Sequence, residues 1–191
     1  MAGKQAKILS NTEVKLLLAY AHRTRKPLRN RVIVWLSAKA GFRACEISSL
    51  TWDMVLDPSG EIGRVIELRN AAAKKGSGRI IPIHPDLKKA LHALRKTSPA
   101  SEYVITSERG GRMAPLSVVV WFARAYRAGG LANCSSHSGR RTFITRAARL
   151  VHRAGGSLRD VQLLAGHRSI QTTQRYIDGD SDAQRRLVAL I

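Results

Sequence analysis

The sequence predicts an α+β domain, mainly α-helical with a small antiparallel β-sheet. Three observations carry this expectation. Apolar residues recur at helical spacing along most of the chain, with capping residues at several starts. Two short β-prone runs, 62–68 and 79–83, flank a tip of small residues. From His137 onward the pattern is helical only.

The elements follow in order. Residues 1–9 read as a short basic lead. Ser10-Asn11-Thr12-Glu13 is a capping-box pattern, and Val14, Leu17, Leu18 and Ala21 follow at helical spacing until Pro27 breaks the helix. Residues 28–40 are nearly continuously apolar, the mark of a central buried helix, and Gly41 ends it. A helix from about Arg43 to Leu50 turns Ile47 and Leu50 inward. The two β-prone runs make a hairpin or a small three-stranded sheet, with Lys74 and Lys75 on the tip between them. Pro85 and Pro115 suit the first turns of helices over about 85–96 and 115–128, the second carrying Val118, Val119, Phe122 and Tyr126. Further helices are expected over about 138–153, 158–165, 169–178 and 182–190. In the first of these, Phe143, Ala147, Leu150 and Val151 form the buried stripe.

The chain of 191 residues suits one domain, 1–191, with its core over about 9–180 and a tail helix over about 182–190. A hydrophobic content of 44% fits a globular chain. The formal charge of +20 is extreme for this size and points to a polyanionic partner, nucleic acid first. Charge alone does not separate an enzyme from a structural nucleic-acid binder. No segment is an apolar span long enough to cross a bilayer, so no membrane partner is expected. Cys45 and Cys134 are too few and too isolated for a disulfide framework or a zinc site. The N-terminus lacks the apolar stretch of a signal peptide, which implies a cytoplasmic protein working at the nucleoid.

Six polar residues, Arg43, Lys74, His137, Arg140, His167 and Tyr176, form a set able to break a phosphodiester without a metal. Guanidiniums hold phosphate through paired N–H bonds. Imidazoles and an amine move protons, and a phenol can attack. His137 and Arg140 sit three apart at a helix N-terminus, where free backbone N–H groups favour an anion. Glu46, three residues after Arg43, can fix that guanidinium. Each residue taken alone has an ordinary reading: a solvated basic helix, a weak surface ion pair, a charged turn, or a half-buried core tyrosine.

Order and spacing change this balance. The segments Ala40-Gly41-Phe42-Arg43-Ala44-Cys45-Glu46-Ile47, Lys74 ahead of Arg79-Ile80-Ile81-Pro82-Ile83, His137-Ser138-Gly139-Arg140-Arg141-Thr142-Phe143, Leu164-Ala165-Gly166-His167 and Thr172-Thr173-Gln174-Arg175-Tyr176-Ile177 closely resemble the catalytic domain of the tyrosine recombinases, the phage-integrase family. The resemblance runs from about residue 9 to 180. It implies that Arg43 and Arg140 grip the scissile phosphate, and that Tyr176 attacks to give a 3′-phosphotyrosyl bond. Lys74 or Lys75 would protonate the leaving 5′-oxygen, His137 would accept the tyrosine proton, and His167 would bond the phosphate. Glu46 would buttress Arg43, and Lys75, Arg79, Arg141 and Arg168 would contact DNA. No metal or other cofactor is expected. The expected partners are double-stranded DNA and further copies of the chain in a tetrameric synapse, with the tail helix packed on a neighbour. The chain resembles the catalytic-domain-only members of the family. Gly139 stands where His-x-Leu-Arg is usual, and Ala165 where leucine is frequent. A non-catalytic DNA-binding remnant, an accessory protein and a type IB topoisomerase are the alternative functions.

Overall fold

A computed structural model describes residues 6–97, 100–176, 188, 189 and 191. Helix α1 (Asn11–His22) starts with a capping box in which Ser10 and Glu13 cap each other's backbone. It stops at His22, short of Pro27, which instead opens α2 (Pro27–Ala40). Every residue of α2 from Val32 to Ala38 is buried, because α1, α4 (Pro85–Thr97) and α6 (Ser138–Leu150) pack around it. Gly41 ends α2 in the left-handed conformation, φ 68°. Its α-carbon lies against the Phe143 ring, where a Cβ would stand 2.5 Å from a ring carbon.

Helix α3 (Ala44–Ser49) follows at once and packs on α5 (Pro115–Ala128). Strands β1 (Val65–Leu68) and β2 (Arg79–Pro82) pair antiparallel, Val65 opposite Pro82 and Leu68 opposite Arg79. Among the described residues no third strand joins them, and Ile62 makes only an isolated bridge to Leu56. The tip between the strands contains a single 3₁₀ turn, Lys74–Gly76. Helices α7 (Leu158–Ala165) and α8 (Ile170–Gln174) follow among the described residues. A 3₁₀ turn, Val151–Ala154, replaces the end of the expected helix over 138–153. The expected tail helix over 182–190 lies outside the described residues apart from 188 and 189, and so do residues 177–178.

Two apolar clusters result. The larger joins α1–α5 and the hairpin, with Phe42, Ile47, Leu50, Leu91 and Phe122 at its centre. The smaller joins α6 and α7 through Ile144, Ala148, Val151, Val161 and Ala165, with Phe143 and Tyr176 against it. Of the stripe expected over 138–153, Val151 is buried and Phe143 and Ala147 pack against the smaller cluster, but Leu150 is 52% exposed, and Ile144 and Ala148 take the more buried places. On α5, Trp121 takes the core position beside Val118 and Phe122, and Val119 faces out. Leu9, at the end of the basic lead, is buried, with its N–H on Thr142 and its carbonyl on Arg146. No described helix is long and apolar enough to cross a membrane.

Candidate active site

The site lies along the seam between the two clusters. Arg43 is the N-cap of α3, held extended at φ −80°, ψ 157°. The Glu46 carboxylate reaches back and accepts from the Arg43 amide at 2.9 Å and from its Nη1 at 2.6 Å. Glu46 is fully buried. Arg79 approaches it from β2, donating Nη2 at 3.0 Å and Nη1 at 3.2 Å. Burial alone would raise the Glu46 carboxyl, but hydrogen bonds and charge from Arg79, then Arg43, overcome it and bring it down to about 2.

Arg140, one turn into α6, is buried and held by main-chain oxygens. Nη1 donates to Gly41 O at 2.5 Å and Nη2 to Ala165 O at 2.6 Å. These are carbonyls at the ends of α2 and α7, groups left without intrahelical partners. Burial and the neighbouring Arg43 lower the Arg140 guanidinium to about 10, so it stays cationic at neutral pH.

The α7 terminus also places His167. Gly166 turns the chain at φ 62°, the His167 amide donates to Gln162 O at 3.1 Å, and Gln162 Nε2 donates to His167 O at 2.9 Å. The His167 ring bonds through Nδ1 to the buried Thr173 hydroxyl at 2.9 Å. It stacks on Tyr176, with ring centroids 5.5 Å apart and planes inclined by 25°. Burial, then the charges of Arg140, Arg43 and Arg79, lower the imidazole to about 4. His137 caps α6, and partial burial followed by Arg140, Lys74 and Arg43 lowers it too. Both rings are therefore neutral near pH 7 and able to accept a proton.

Arg43, His137, Arg140, His167 and Tyr176 line one cleft of about 400 Å³, with Arg141, Thr172, Arg175 and Ala6. Lys74 does not line it. It stands exposed on the hairpin tip, near enough for its charge to act on His137. The Lys75 side chain lies outside the described residues. Arg141 lines the cleft, and its buried Nε has no hydrogen-bond partner among the described residues. Arg168 is exposed beside the hairpin.

Arg79 departs from the expectation of a DNA contact. Its side chain is 4% exposed and turned inward, because Glu46 and the Leu164 carbonyl, 2.9 Å from Nε, take its donors. The sequence reading missed Thr173 as the orienting partner of His167. A hydroxyl six residues after the histidine was the available signal.

Residues 7–182 match the model of the phage integrase family. The tyrosine recombinase XerA of Thermococcus kodakarensis is 32% identical over 173 residues, covering 89% of this chain and 57% of that protein. XerC of Rhizobium meliloti is 30% identical over 184 residues, covering 92% and 54%. The chain thus spans a little over half the length of these relatives. A crystal structure of XerA recombinase superposes with a TM-score of 0.75 at 25% identity, covering 96% of this chain and 64% of that one. The Tn1549 transposon integrase in complex with transposon right-end DNA shares the fold, with a TM-score of 0.76 at 20% identity, over 100% of this chain and 67% of that one. From the matched span of 7–182 and the shared fold, the chain belongs to the phage integrase family, the tyrosine recombinases.

Proposed function

We propose that this chain is the catalytic domain of a site-specific DNA recombinase or integrase. The observation that carries the reading is the convergence of two guanidiniums, two neutral imidazoles and a phenol on one cleft of a chain with net charge +20. Arg43 and Arg140 bind the nonbridging oxygens of a phosphodiester and stabilise the charge that grows there. The Tyr176 oxygen attacks phosphorus as the bond to the 5′-oxygen breaks. A neutral phenol is a weak nucleophile, so His137 takes the Tyr176 proton. Lys74 or Lys75, carried on the hairpin tip, gives a proton to the departing 5′-oxygen. His167, oriented by Thr173, donates to the phosphate or relays a proton. The 3′-phosphotyrosyl bond conserves the phosphodiester, and a second 5′-hydroxyl reverses the step on another strand, so neither ATP nor a metal enters the balance.

The partner is double-stranded DNA. Lambda integrase has been seen as a dimer on a core site and as a tetramer on a Holliday junction, and a tetrameric synapse is the assembly proposed for this chain. It would act in the cytoplasm, where a prokaryotic chromosome lies.

The test is a nicked suicide duplex that lets the cleaved 5′ fragment diffuse away. Wild type is expected to leave an SDS-resistant protein–DNA adduct, and Tyr176→Phe none. If both leave none on every integrase-type site tried, the chain is a DNA binder without strand transfer. Plasmid relaxation without site preference would assign it to topoisomerase chemistry instead.

A further inference from the structure

Arg79 leaves β2 and touches three other parts of the fold. Its fork meets the Glu46 carboxylate on α3, and its Nε donates to Leu164 O on α7. Its guanidinium lies 5.4 Å from the centre of the Phe42 ring. Its stem backs onto Gly166, where a Cβ would stand 3.0 Å from Arg79 Cδ. Each contact lands beside a group of the cleft. Glu46 holds Arg43, Leu164 precedes the residue whose carbonyl holds Arg140, and Gly166 precedes His167. Its own strand continues from the tip that bears Lys74.

We propose that Arg79 is a positioning residue for strand transfer. It clamps Glu46 to the end of α7, so that Arg43, Arg140 and His167 keep one relative placement, and it takes no part in holding DNA. The inference rests on the recombinase reading above. Its physical basis is the demand of a buried carboxylate. Two oxygens offer about four acceptor positions, and the amide and guanidinium of Arg43 do not fill them. A bidentate guanidinium completes the set with fixed geometry, which an ammonium cannot reproduce. The same guanidinium takes a terminal carbonyl of α7 that no helical N–H reaches. Removing it frees α7, and the His167 imidazole with it, to shift against Arg43.

Wild type, Arg79→Lys and Arg79→Gln would be compared on the suicide duplex by three measurements: single-turnover adduct formation at saturating protein, DNA affinity across a salt series, and NMR titration of the His167 ring without DNA. Arg79→Lys is expected to slow adduct formation about tenfold and Arg79→Gln about a hundredfold, the scale of a displacement near 1 Å. Affinity and its salt slope stay at wild-type values. The His167 titration moves upward in Arg79→Gln, where a neighbouring positive charge is gone, and stays near wild type in Arg79→Lys. A role in folding alone would change thermal stability without this pattern. The proposal is overturned if affinity drops and the salt slope falls by about one while the saturated rate is unchanged, the signature of a phosphate contact. It is equally overturned if all three measurements match wild type. Arg79→Lys, which keeps charge and stem, decides the matter if the glutamine variant does not fold. Failure of wild type to form any adduct would count against the recombinase reading, and the titration would still report whether Arg79 acts on His167.

Discussion

Glu46 concentrates the electrostatics of the site in one side chain. Its folded value of about 2 lies below the ordinary 4.5, so protonation favours the unfolded chain. The stability it contributes is therefore complete above about pH 5 and is lost as pH falls toward 2. The full difference is on the order of 3 kcal/mol. Urea unfolding at pH 7 and pH 3 should show wild type losing about 2 kcal/mol more than Glu46→Gln over that interval. Equal losses would mean that Glu46 is not held in this ionised form. The pairing of Arg43 with Glu46 was legible in the sequence because three residues separate them on one helix start. The pairing of Arg79 with the same carboxylate was not. It spans 33 residues, and in a chain this basic an arginine on a strand looks like one more surface charge. Thr173 was hidden for a related reason, since a threonine inside a motif gives no sign of which neighbour its hydroxyl serves.

The crossing of α2 and α6 sets where the second guanidinium stands. Gly139 lies at the closest approach, where a Cβ would be 2.2 Å from Ser37 Oγ and 3.2 Å from the Ser37 carbonyl carbon. The glycine in place of the family's usual leucine thus matches a tight crossing. Gly139→Ala should destabilise the fold by about 1–3 kcal/mol, through overpacking against backbone as well as side chain. Because Arg140 is the next residue, adduct formation should fall more steeply than stability. Thermal melts and suicide-substrate kinetics on the same preparation check both, and an unchanged melting temperature would show that the crossing has slack. At this scale the sequence was a good guide to helix starts, because Ser10, Pro27, Pro85 and Pro115 act locally. It was a poorer guide to helix faces. On α5 Val119 faces out and Trp121 in, and on α6 Leu150 is exposed although Phe143, Ala147 and Val151 pack toward the smaller cluster, because apolar spacing alone does not show which neighbour covers which residue.

For the molecule as a whole, charge is the dominant long-range property. A net +20 on 191 residues should make duplex binding release many counterions. Fluorescence anisotropy between 50 and 200 mM salt should show affinity falling by about 10³–10⁵, the loss expected for 6–10 neutralised phosphates. A shallow dependence would mean that the basic surface does not face the duplex. The fold class and most of the cleft could be read from sequence because ordered motifs mark the chain at each turn that feeds the site. The position of Lys74 outside the cleft could not, because a hairpin tip is placed by its tertiary surroundings. The Arg140 guanidinium rests on the oxygens of Gly41 and Ala165, which belong to the main chain. No amino-acid replacement deletes a peptide oxygen. Adding or removing a single residue at either bend would swing that oxygen away. Substitution thus spares the two oxygens themselves, while Gly41 is fixed on separate grounds by its left-handed backbone and the Phe143 ring.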